Sequence, residues 1–152
     1  MARSRTRSRP SLFSDLKPLT RLFNGPAARL AGSRALPFWA LVRHRGRKSG
    51  RTYSTPVAAR RTTDGFAIPL AFGETADWAR NVLAAGGCVI RWSGREYRLV
   101  DPVVVDAAER LDAFGPVERR AFALARIRRI LILRDENVLE PRRRQLERRA
   151  PA

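Results

Sequence analysis

Two stretches of period-two patterning meet at His44-Arg45-Gly46-Arg47-Lys48-Ser49-Gly50-Arg51, and nothing else in the chain restricts its fold as tightly. Phe38 to Val42 is apolar and runs through Arg43-His44-Arg45 into the loop, which reads as a strand, and Thr52 to Arg61 resumes the extended pattern beyond it. Two strands joined by so short a Gly-bounded segment must pair antiparallel. Gly46 and Gly50 let the backbone turn sharply, which leaves consecutive amides free to face one object. Four cations surround them: Arg45, Arg47, Lys48 and Arg51. Forward-facing amides with guanidinium groups are how a small loop holds a phosphate. A Walker-type nucleotide loop is excluded, because Arg47 stands where that signature needs a glycine before its lysine. A basic hairpin tip that only stays hydrated fits the same residues.

The chain of 152 residues is the size of one domain, and 44% of it is apolar. Its formal charge of +17 is exceptional and draws attention to anionic partners: nucleic acid, lipid headgroups or a polyanionic small molecule. The excess is spread over the ends and the middle alike, which also fits a bias towards arginine. Cys88 is the single cysteine and His44 the single histidine, so an intrachain disulfide and multi-thiolate or multi-histidine metal sites are excluded. Cys88 sits in an apolar strand pattern and is expected as a small buried hydrophobe. No apolar run is long enough to span a membrane, and Met1 to Pro10 lacks the apolar stretch of a secretory signal. A cytoplasmic location is expected.

Taken in order, residues 1–10 alternate Arg with Ser and read as a disordered basic tail. Leu12 to Leu30 has apolar residues at helical spacing, interrupted by Pro18 and Gly25-Pro26, which predicts two short amphipathic helices. These dock on the domain or lie on a membrane surface with Arg21 and Arg29 among the headgroups. After the first hairpin, Asp64-Gly65 signals a second, with a strand over Phe66 to Phe72 and an edge or bulge at Pro69. Thr75 is placed to cap a helix over Ala76 to Ala85 that stops at Gly86-Gly87. Cys88 to Trp92 and Glu96 to Val105 form another hairpin about Ser93-Gly94. Asp106 caps a helix to Phe114, Pro116 opens another to about Arg126, and Ile130 to Leu133 is a last strand. One domain over residues 11–135 follows, with a charged tail over 136–152. Six mainly antiparallel strands with flanking helices make an α+β fold, and strands of this length commonly close into a small packed barrel. Ligands then bind outside the barrel or at the seam of a homodimer.

Pro37 to Val42, the loop from His44 to Arg51, and Thr55-Pro56-Val57 resemble the first half of the deazaflavin-dependent nitroreductase family. Asp77 to Gly87, with Trp78 and Asn81 on a helix ending in glycine, is similar to that family's second motif, and Tyr97 to Pro102 also fits. The resemblance covers about Leu30 to Asp106. It implies a split β-barrel related to flavin-binding pyridoxamine-phosphate oxidases, and the coenzyme F420, whose tail carries a phosphate and several glutamates. FMN is the alternative cofactor on the same barrel. By the same resemblance Arg47, Lys48, Ser49, Gly50 and Arg51 would hold the phosphate, and Ser54, Thr55 and Pro56 would line the cleft. Ala71, Phe72 and Gly73 would pass along the ring, with Trp78 and Asn81 closing the far side.

The implied reaction is hydride transfer from reduced F420 to an electron-poor small-molecule acceptor such as a quinone, an enone or a nitro compound. No catalytic residue is assigned; solvent, Ser54 and Tyr53 are the candidate proton sources. The family's best-known members draw pocket tyrosines from the C-terminal segment, whereas Ala113 to Arg134 has none. Each site residue also has a plainer reading. Trp78 suits a core anchor, Asn81 an exposed helix position, and His44 a solvent-facing strand position. Glu74 and Asp77 suit helix N-terminal charges better than an acid–base pair. Carriage of the coenzyme without turnover is a second functional reading. A basic nucleic-acid-binding module is a third, disfavoured because Trp39, Trp78 and Trp92 are not interleaved with cations on one surface.

Overall fold

The computed structural model describes residue 33 and residues 38–147. The basic tail and the helices expected between Leu12 and Leu30 lie outside the described residues. Within them, seven strands form one antiparallel sheet: β1 (Trp39–Arg45), β2 (Thr52–Ala58), β3 (Arg60–Arg61), β4 (Gly65–Pro69), β5 (Gly87–Trp92), β6 (Arg95–Asp106) and β7 (Arg129–Asp135). Helix α1 (Asp77–Ala85) separates β4 from β5. A 3-10 helix (Ala107–Ala113) and α2 (Pro116–Ala125) separate β6 from β7, and α3 (Glu136–Glu147) follows β7.

The strand order β2-β1-β5-β6-β7-β4-β3 explains the curl. β2 and β3 stand at opposite ends of the sheet, yet only Ala59 separates them in sequence. The sheet must therefore bend round on itself, and the fold is an α+β split barrel. Ala59 is buried at this corner, where its amide donates to Phe38 O at 3.1 Å. The strand expected to run unbroken from Thr52 to Arg61 is thus two strands in different parts of the sheet. A second bend lies in β6, whose register with β7 shifts between Val100 and Val103, where Asp101 adopts a φ of 53° ahead of Pro102.

Alternation decides which side chains fill the barrel. Ala40 and Val42 of β1, Phe66 and Ile68 of β4, Ile90 of β5, Leu99 of β6, and Leu131 and Leu133 of β7 point into one cluster. Ala79 and Val82 of α1 plug its end. The opposite faces of β4 and β7 are covered too: Ala67 and Ile130 pack with Ala107, Phe114 and Phe122. The Phe114 and Phe122 rings meet edge to face at 4.7 Å. Double coverage explains why all of β4 is buried. Pro69 ends β4 opposite Ile130, beyond the two residues that pair with β3, so its missing donor faces an open edge.

Some local expectations need correction. Thr75 does not cap α1; Ala76 holds that position without a side-chain bond. Asp106 does cap the following helix, accepting from the Ala108 amide at 2.9 Å, but the helix is 3-10. Residues 136–147 are helical although Pro141 lies within them: buried Asp135 accepts from the Asn137 amide at 3.1 Å and starts the helix. Among the described residues no helix is long and apolar enough to cross a membrane.

Candidate functional site

The β1–β2 loop is built by its own hydrogen bonds. Gly46 N donates to Arg51 O and Gly50 N to Gly46 O, both at 2.8 Å. Gly50 adopts a φ of +66°, which a glycine tolerates without strain. At Gly46 space is the constraint: a Cβ there would lie 2.5 Å from Ser49 Oγ and 2.7 Å from the Tyr53 ring, so those two side chains would have to move. The Arg47 amide donates to Asn81 Oδ1 at 3.1 Å and the Arg51 amide to Ser49 Oγ at 3.3 Å. The row of free amides expected from the sequence is therefore shorter than it looked. Among the described residues, only Lys48 and Ser49 of the loop's turn keep amides without a hydrogen-bond partner.

The cations divide in the same way. Arg47 is committed to α1: its guanidinium donates to Asn81 Oδ1 at 2.8 Å and to Asp77 Oδ1 at 2.9 Å. The Arg47 hydrogen bond, and after it the Arg47 charge, holds the Asp77 carboxyl below its usual value. Arg45 Nε donates to Gly50 O at 3.1 Å. Lys48 and Arg51 have no ion pair among the described residues, and both are exposed. The loop thus spends Arg47 on fixing its own position and presents Lys48 and Arg51 outward.

His44 does not face solvent. It is 6% exposed, because it shares the inward parity of Ala40 and Val42 along β1. That parity was present in the sequence and is the signal that places it. Its Nε2 lies 3.0 Å from Thr55 Oγ1, its Nδ1 lies 3.2 Å from Asn81 Nδ2, and the Tyr53 ring stacks on it at 5.9 Å. Burial lowers its pKa below the ordinary histidine value of 6.5. Asn81 is likewise buried rather than exposed. Tyr53 Oη and Ser49 Oγ are 3.0 Å apart.

These groups stand at one end of a cavity of about 980 Å³ between the loop, β2, the Leu70–Gly73 turn and α1. Of the residues singled out from sequence, Arg47, Lys48, Ser49, Ser54, Thr55, Pro56, Ala71, Phe72, Gly73, Trp78 and Asn81 line it, whereas Gly50 and Arg51 do not. Trp78 packs on the core and also forms part of the cavity wall. Trp39, Val57, Leu70, Phe122 and Ile127 complete the apolar walls and were not anticipated; the last two reach the cavity only because α2 and the segment after it fold across the sheet. Among the described residues no group of His, Cys, Asp and Glu could hold a metal ion. Cys88 lies away from the cavity, partly packed on the core, and burial pushes its thiol up to about 12.

Fold and cavity define a split-barrel protein with an apolar cleft that is basic and hydroxyl-bearing at one end. In structure the chain is similar to a solved F420-H2 dependent reductase, with a TM-score of 0.44 and 17% identity over 63% of this chain and 93% of that one. A second solved structure, described as a domain-swapped dimer, is similar with a TM-score of 0.47 and 15% identity, covering 77% of this chain and 99% of that one. No family model and no curated protein matches the sequence.

Proposed function

We propose that the chain is an F420-dependent oxidoreductase that reduces an electron-poor organic acceptor: a quinone, an enone or a nitro compound. The observation that carries this reading is the cavity itself, with apolar walls leading to hydroxyls, spare amides and the unpaired cation Lys48, while Arg51 is exposed on the same loop outside the lining. A flat ring fits against Trp78, Pro56 and Phe72, and an anionic tail needs donors such as Lys48, Arg51 and the Lys48 and Ser49 amides. Bound there, the reduced coenzyme would supply the hydride. The chain's own part is to orient and to exclude water. Trp78 and the Leu70–Gly73 turn wall the ring site, and Arg47 anchors the loop to α1 so that its donors are set in place before a ligand arrives. Ser54 and Thr55 offer hydroxyls along the cavity. The charge of the loop also favours a tail with several carboxylates over a single phosphate, and so F420 over FMN.

Titration of the purified chain with oxidised F420 and, in parallel, with FMN tests the assignment. Micromolar or tighter binding of F420, with weaker binding of FMN, is expected. Turnover of reduced F420 with a panel of quinones, enones and nitroarenes then separates an enzyme from a carrier. Binding without oxidation by any acceptor would favour carriage, and no binding would remove the proposal.

A further inference from the structure

A one-way chain of hydrogen bonds crosses the cavity end from Arg47 to Thr55. Its direction is set by Arg47, which can only donate. Both its main-chain N–H and its guanidinium meet one atom of Asn81, so that atom must be the amide oxygen. The other amide atom, Nδ2, is then a donor, and the group 3.2 Å from it, His44 Nδ1, must accept. A neutral imidazole that accepts at Nδ1 carries its hydrogen on Nε2. That hydrogen points to Thr55 Oγ1 at 3.0 Å. Thr55 therefore accepts from His44, and its own single hydrogen must turn elsewhere. No other hydrogen bond engages the Thr55 side chain among the described residues, and Thr55 lines the cavity.

We propose that His44 is a positioning residue, neutral with its hydrogen on Nε2, that makes the Thr55 hydroxyl a fixed hydrogen-bond donor into the cavity. The ligand it selects must present an acceptor there, such as a carbonyl oxygen or an unprotonated ring nitrogen. The proposal rests on the cofactor reading for its ligand, though not for its geometry. A ring held neutral in this way is also poorly suited to act as a proton donor. An imidazolium would turn an Nδ1–H against the Asn81 NH₂, and that amide cannot rotate without losing both bonds from Arg47. Burial acts in the same direction by disfavouring the charged ring.

Because His44 is the only histidine, ring ¹⁵N spectra of the labelled chain need no assignment. With no ligand added, Nδ1 is expected in the unprotonated range and Nε2 in the protonated range at neutral pH. An Nδ1–H ring, or two tautomers in exchange, would overturn the proposal. Asn81→Asp supplies a second reading, since the carboxylate keeps both Arg47 bonds but offers His44 an acceptor in place of a donor. Its spectrum should show Nδ1 protonated, a reversal that a merely space-filling Asn81 would not produce; a spectrum unchanged from the parent would overturn the chain of bonds. For the ligand, Thr55→Val should weaken oxidised F420 binding about tenfold, and Thr55→Ser should recover most of that loss. Equal affinity in Thr55→Val would overturn the donor role. If the parent chain bound no F420, the coenzyme reading would fall and the ring spectra alone would still decide the role of His44.

Discussion

Asn81 Oδ1 accepts twice from the same residue: from the Arg47 amide at 3.1 Å and from the Arg47 guanidinium at 2.8 Å. One buried amide on α1 thereby fixes both the backbone and the side chain of a loop 34 residues away in sequence. The turn is closed by bonds among Gly46, Gly50 and Arg51, and the Asn81 contact ties that closed turn to α1.

Replacing Asn81 by Leu should therefore do more than remove one side chain. The Arg47 amide and His44 Nδ1 both lose their partner in a partly buried setting. A loss of about 1–3 kcal/mol is expected, as for buried polar groups left unsatisfied. Urea denaturation checks the stability, and faster amide exchange at residues 46–51 is the local sign. A variant as stable as the parent would mean that water replaces the amide at no cost.

The hairpins, the helix after Gly73 and the α+β class were legible because they depend on neighbours in sequence: period-two alternation, Asp64-Gly65, Gly86. What was not legible is long-range. Nothing local to Ala59 says that the chain crosses from one end of the sheet to the other there. Nothing local to Phe122 or Ile127 says that they wall the cleft. His44 is instructive, since its parity with Ala40 and Val42 marked it as inward, yet a lone polar residue beside a basic loop invites a solvent-facing reading. Arg47 carries the opposite lesson. As one of four cations in a loop it looked like an anion ligand, and only the placement of α1 shows that Asp77 and Asn81 occupy it.

Stability should depend on pH through His44. Its pKa is lowered in the folded chain relative to the ordinary value of 6.5, so the unfolded chain takes up its proton first. The stabilising contribution is fully present above 6.5 and is lost as the pH falls from there through the folded value. The thermal midpoint of the parent should drop over that window by more than that of His44→Gln, which cannot titrate. Parallel profiles for the two would show that His44 is not held neutral by the fold.

Gly50 is the loop position where conformation alone decides. At a φ of +66° an alanine is strained, and its substitution should cost about 1 kcal/mol. Gly50→Asn should cost less, because asparagine enters the left-handed region more readily. Thermal melts of the two variants give the order, and an alanine variant no less stable than the asparagine one would mean that the turn changes type.

Cys88 should be chemically quiet. With its thiol pushed up to about 12, only about one molecule in ten thousand carries a thiolate at pH 8. A chromogenic disulfide reagent should label the native chain slowly and then one thiol per chain at once in denaturant. Rapid labelling of the native chain would mean that β5 opens readily, since Cys88 pairs with Leu99 inside the sheet.

The division of labour among the loop cations gives the sharpest functional contrast. Lys48 and Arg51 are exposed, and neither has an ion pair to lose, so replacing both by alanine should leave stability within about 0.5 kcal/mol. If they receive the anionic end of a ligand, each removes a charge-assisted contact of about 1.5–3 kcal/mol, and F420 affinity should fall by well over tenfold. The loss should shrink as salt is raised, because screening already weakens these contacts in the parent. Arg47→Ala should behave in the opposite sense: it should loosen the loop and lower stability whether or not ligand is present. Titrations of the two variants with oxidised F420 at low and moderate salt, beside their urea denaturation curves, separate an anion-binding role from an anchoring one. If Lys48 and Arg51 proved dispensable for affinity and Arg47 dispensable for stability, the assignment of roles within the loop would be reversed.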